Sequence, residues 1–93
     1  MQIEFQYGMK LVKALSNDTR MEMVRILSCG DRCLAELEQF FPGPKEILEQ
    51  HLEILADVKL VEKRTVDCLT FYGINPSSKN IIRNLVTNTR CAV

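Results

Sequence analysis

The side chains best able to do chemistry are four cysteines, Cys29, Cys33, Cys68 and Cys91. Thiolates act as nucleophiles and as ligands for soft ions, so disulfide exchange and the binding of zinc, copper(I) or arsenite are the chemistries on offer. No CxxC pair occurs, and the irregular spacing does not read as a secreted disulfide scaffold. A reducing, cytoplasmic setting fits best. Three sulfurs would make a trigonal arsenite site and four a tetrahedral zinc site. Cys29, Cys33 and either Cys68 or Cys91 are the candidate ligands. Cys33 falls near a helix start, where a lowered thiol pKa suits a redox sensor. Cys68 reads as a small core residue of a strand. Cys91, in the tail, reads as half of an intermolecular disulfide or as idle. There is one histidine, His51, no glycine-rich phosphate loop and no spaced carboxylate pair, so an enzyme with a small-molecule substrate is not expected.

The elements that must position these residues are mostly helical. Met1–Leu15 reads as a helix, with Phe5, Met9, Val12 and Leu15 near one stripe. Ser16-Asn17-Asp18 starts a second helix, to about Ser28, with Met21, Val24, Ile26 and Leu27 apolar. Gly30 suits its end, and Asp31 can cap the next helix. In that helix Leu34, Leu37, Phe40 and Phe41 recur at helical spacing. Pro42-Gly43-Pro44 breaks it, since proline lacks a donor and disfavours helix before itself. A further helix runs from Pro44 or Lys45 to about Ala56, burying Leu48, Leu52 and Leu55. His51 beside that stripe reads as packed and hydrogen-bonded. Helix, short turn, helix over about 31–56 is a helix-turn-helix. Extended segments over about 60–64 and 68–74 form a hairpin wing, and a last helix follows from about Ser77. The expectation is one domain over residues 1–93. It is a mainly α winged helix-turn-helix with a small β-hairpin (the wing over about 60–74) and helices at both ends suited to dimerisation.

Ninety-three residues bury only a modest share of their surface, which favours a homodimer. No apolar run reaches membrane-spanning length, and no secretory signal opens the chain. The net charge is zero but unevenly spread: +1 over residues 1–30, −5 over 31–57 and +4 over 58–93. A DNA reader ordinarily concentrates positive charge on its footprint. Here the central helices are acidic, so a winged helix used for contact with a basic protein partner is the rival reading.

Four motifs then stand in order: LVKALSNDTRMEMVRIL, CLAEL, LEQHLEIL and KLVEKRTVDCLTFYGI. Together they resemble the ArsR/SmtB family of small dimeric repressors over roughly Leu11 to Leu85. The resemblance implies a homodimeric regulator of double-stranded DNA that reads an inverted repeat, with Lys45, Glu46, Glu49 and Gln50 facing the groove. Lys63 and Arg64 in the wing, with Arg20 at the second helix start, would hold phosphates. The segment around Cys29 and Cys33 holds soft-metal ligands in some relatives, so an effector would shift the dimer between DNA-competent and incompetent geometries. The chain departs from the family pattern in three places. Ala35 replaces the second cysteine of the metal box, Lys59 stands where a glycine usually follows the recognition helix, and the wing lacks its glycine.

Overall fold

The computed structural model describes residues 2–85, with side chains over 8–84. In chain order the elements are α1 (Gln2–Leu15), α2 (Asp18–Leu27), β1 (Arg32–Cys33), α3 (Leu34–Phe40), α4 (Lys45–Asp57), β2 (Val61–Val66) and β3 (Leu69–Ile74). A 3₁₀ turn (Pro76–Ser78) then leads into α5 (Lys79–Leu85). The three strands form one antiparallel sheet in the order β1-β3-β2. No helix among the described residues is long and apolar enough to cross a membrane.

Local chemistry explains most boundaries. Asn17 is extended and its side chain accepts from Arg20 N–H at 3.1 Å, capping α2. Gly30, at φ 151°, follows the end of that helix in a region favouring glycine. The core gathers Met23, Val24, Ile26 and Leu27 of α2, Leu37 of α3, and Leu48, Leu52 and Leu55 of α4, with Leu60, Val61, Ile74 and Ile82. Met23 rather than Met21 is the fully buried methionine of α2. On α1 the inward residues are Leu11, Ala14 and Leu15, while Met9 and Val12 remain 45% and 63% exposed.

Lys59 closes α4 in a left-handed conformation, φ 64°. Its N–H donates to Ala56 O at 3.0 Å and Leu60 N–H donates to Leu55 O at 3.1 Å, the paired bonds of a Schellman motif. Leu55 and Leu60 are both fully buried, giving the apolar contact that accompanies the motif. The buried Ser78 hydroxyl donates to Lys59 O at 2.6 Å, and Asn75 N–H to Leu60 O at 2.9 Å, so the chain entering α5 is tied to the end of α4.

Two further features differ from the sequence expectation. Val66 pairs with Leu69, leaving Asp67 and Cys68 as a two-residue turn with φ 49° and 68°. That is the type I′ geometry whose twist matches a hairpin, so Cys68 is exposed at the wing tip rather than packed in a strand. Cys33, not Asp31, is the N-cap of α3, because Arg32 and Cys33 are taken into the sheet opposite Tyr72 and Phe71.

Candidate nucleic-acid interface

Leu48, Leu52 and Leu55 pin one side of α4 to the core, so the opposite side is presented outward. Lys45, Glu46, Glu49 and Gln50 are all exposed there, with Glu53 and Asp57 continuing the surface. The helix carries one lysine against four carboxylates, a net of −3. Among the described residues Lys45 and Lys63 are exposed and make no ion pair, so they are available to an anion.

Arg20 sits differently. Its Nε donates to Ala14 O at 2.6 Å, one terminal nitrogen reaches Lys13 O at 3.4 Å, and the other contacts His51 Nδ1 at 3.2 Å. It therefore joins the last turn of α1 to α4 from the first turn of α2. Arginine has no acceptor, so Nδ1 of His51 accepts and the neutral ring carries its proton on Nε2. Burial first, and then the Arg20 charge, push the His51 pKa below its ordinary value.

Arg64 is likewise engaged inside the chain. Its guanidinium pairs with Asp31, with Glu62 (Nε to Oε1 2.9 Å) and with Ile74 O at 3.0 Å. The bonds to Asp31 and then Glu62 raise its pKa. Asp31 and Arg64 meet over Gly73 of β3, where an added Cβ would lie 2.1 Å from Asp31 Oδ1 and 2.4 Å from an Arg64 terminal nitrogen. The clasp thus requires a residue without a side chain on β3. Its partners are 33 positions apart, so no periodicity could have flagged it. The lone glycine in an otherwise bulky strand was the only local sign.

The cysteines do not gather. Cys29, half-buried at the end of α2, is disulfide-bonded, whereas Cys33 and Cys68 are free thiols. Cys29 Sγ lies 3.6 Å from Arg25 O, a contact that only a reduced thiol could turn into a hydrogen bond. Cys33 N–H donates to Glu36 Oε1 at 3.0 Å, and this bond chiefly lowers the Glu36 pKa. Cys91 lies outside the described residues. Among those described, no three His, Cys, Asp or Glu side chains come together to hold a metal. A cavity of about 430 Å³ lies beside Cys29, lined also by Leu27, Asp31, Arg64, Ile74 and Ile82.

A helix-turn-helix whose second helix faces outward, followed by a hairpin and flanked by helices, is a winged helix-turn-helix. No family model matches the chain. An arsenical resistance operon repressor of Staphylococcus aureus is 33% identical over 86 residues, covering 87% of this chain and 83% of that protein. The transcriptional repressor BigR of Xylella fastidiosa superposes with a TM-score of 0.81 at 27% identity, covering 96% of this chain and 89% of that one. HlyU of Vibrio cholerae superposes at 0.82 and 24% identity, covering 96% and 98%, and bears on the fold alone. So does a homodimeric winged helix-turn-helix DNA-binding domain of Mycobacterium bovis, at 0.81 and 21%, covering 94% and 81%. The chain belongs to the ArsR/SmtB family of winged helix-turn-helix transcriptional repressors.

Proposed function

We propose that this protein is a homodimeric, cytoplasmic DNA-binding repressor whose operator affinity depends on the oxidation state of Cys29. The observation that carries the DNA reading is the outward face of α4, opposite Leu48, Leu52 and Leu55, in a member of this family. On that face Gln50 suits adenine and Glu46 and Glu49 suit the cytosine amino group, while Lys45 and Lys63 suit phosphates. Arg20 and Arg64, already engaged with the protein, support these contacts by position. The exposed Met9 and Val12 of α1 and Ile81 of α5 supply apolar surface for the dimer.

The redox reading rests on the pairing of Cys29. With Cys33 and Cys68 free, Cys91 is the partner we assign to it. Two thiols give up two electrons and two protons to a small-molecule disulfide, which leaves as two thiols. A disulfide sulfur is no longer a thiolate ligand, which favours this chemistry over arsenite or zinc at the same residue. Peptide mapping without reductant must find Cys29 joined to Cys91; a Cys29–Cys33 or Cys29–Cys68 linkage removes the assignment.

The function is tested by selecting from a random duplex pool at low salt with reduced protein. An enriched inverted repeat, bound less tightly as salt rises, is the expected result. The net charge of −3 on α4 is the one observation favouring the rival, a module for a basic protein partner. Absence of any enrichment at low salt would transfer the reading to that rival.

A further inference from the structure

We infer that the Asp31–Arg64 clasp is the link through which the wing feels the state of Cys29, making both residues positioning residues for DNA binding. This rests on the redox reading above. Cys29 and Asp31 are separated by Gly30 alone, so their Cα atoms are never more than about 7 Å apart and little slack exists between them. Gly30, at φ 151°, is the joint about which Asp31 can swing when the backbone at Cys29 shifts. Beyond Asp31 the chain is fixed, because Arg32 and Cys33 are paired with Tyr72 and Phe71 of β3. Movement at Cys29 therefore reaches the Asp31 carboxylate across a single residue.

That carboxylate does not end on its own strand. It crosses β3 above Gly73 and grips Arg64 of β2, which faces Phe71 from the side opposite Cys33. Arg64 also donates to Ile74 O and to Glu62, so it is anchored to both strands of the wing. Lys63, its neighbour on β2, is exposed and would carry any shift of β2 to a phosphate. The cavity beside Cys29 is lined by both members of the clasp, so there is space for Asp31 to move without displacing the core. Asp31 and Arg64 side chains are 42% and 33% exposed. A pair in that setting can be opened by a modest perturbation, and it limits the transmitted effect to about tenfold in affinity.

The test uses the full chain and the duplex recovered above, with affinity measured by fluorescence anisotropy in dithiothreitol and after oxidised glutathione. The wild-type affinities in the two states are expected to differ about tenfold. In Asp31→Asn and in Arg64→Gln the ratio should fall to within about twofold, whatever the change in absolute affinity. The exchange Asp31→Arg with Arg64→Asp should recover much of the ratio. Gly73→Ala, which wedges a methyl between the partners and leaves both charges in place, should reproduce the loss and serves if a charge variant does not fold. By reciprocity, duplex should shift the thiol–disulfide equilibrium of wild-type Cys29 by the same factor, about 30 mV for tenfold, and not that of Gly73→Ala. Variants that keep the wild-type ratio, or weaken both states equally, overturn the clasp as a link and leave the redox switch standing. A wild-type ratio of one overturns the switch and this inference with it.

Discussion

Replacing Gly73 by alanine tests whether the clasp over β3 contributes to the fold. Two opposed effects meet at this residue. Glycine inside a strand is worse than alanine by about 0.5–1 kcal/mol, through the entropy it loses on folding. Against this gain, the new Cβ would stand 2.1 Å from Asp31 Oδ1 and 2.4 Å from an Arg64 nitrogen. Both close atoms are the far ends of side chains, so the ion pair parts rather than the sheet moving. Exposed ion pairs contribute roughly 0.2–1 kcal/mol and hydrogen bonds to charged groups about 1.5–3 kcal/mol. The pair is one-third to two-fifths exposed, which puts its loss at about 1.5 kcal/mol, between these limits. The net expectation is a destabilisation of about 0.5–1 kcal/mol, a fall in Tm of roughly 2–8 °C for a domain of this size. The assay is urea unfolding of the reduced protein followed by circular dichroism, repeated in a background carrying Asp31→Ala and Arg64→Ala. There the obstacle is gone, only the entropy term remains, and Gly73→Ala should stabilise by about 0.5 kcal/mol. The same sign of effect in both backgrounds would refute the reasoning, since it would mean that the methyl never met the clasp.

Two left-handed residues and one histidine give further tests. Lys59→Gly should stabilise the protein by about 0.5–1 kcal/mol by urea unfolding, because lysine at φ 64° carries a Cβ clash that exceeds the extra unfolded-state entropy of glycine; a loss of stability would show that the lysine side chain contributes a contact of its own. Cys68→Gly should stabilise by a similar amount, restoring the Asp-Gly pair that a type I′ turn favours, and should leave the Cys29 disulfide intact by mass spectrometry. For His51 the folded pKa lies below its ordinary value of 6.5, so the unfolded chain takes up a proton first on acidification. Stability from this group is therefore complete above about pH 6.5 and is lost as pH falls through the lower folded value. Unfolding measured from pH 7.5 to 5 should show that decline in wild type and a shallower one in His51→Gln; equal slopes would remove Arg20–His51 from the account. Ser78→Ala, which leaves Lys59 O without its buried donor, should destabilise by about 1–2 kcal/mol in the same unfolding assay.

The helices were legible because their determinants are local. Asn17 before α2, the Leu48–Leu52–Leu55 stripe of α4 and the Pro42-Gly43-Pro44 break each act within a few residues, and each stands where those patterns indicate. The sequence also marks Lys59 and a wing turn without glycine as departures from the family, and the backbone meets both by placing ordinary residues at positive φ. The fate of the charged and thiol side chains was not legible. Arg20 and Arg64 have the same composition and exposure cues as a phosphate-binding arginine, yet each is engaged by groups that only folding brings near: Ala14 O, Lys13 O and His51 for one, Asp31 and Ile74 O for the other. Cys68 reads as a strand residue until pairing of Val66 with Leu69 puts it in the turn. Asp31 reads as a helix cap until β1 draws Cys33 into that role. A sequence fixes what acts between neighbours along the chain, namely periodicity, caps and breaks. Which distant charge or thiol a side chain meets depends on strand register and helix packing, and these are decided only when the whole core closes.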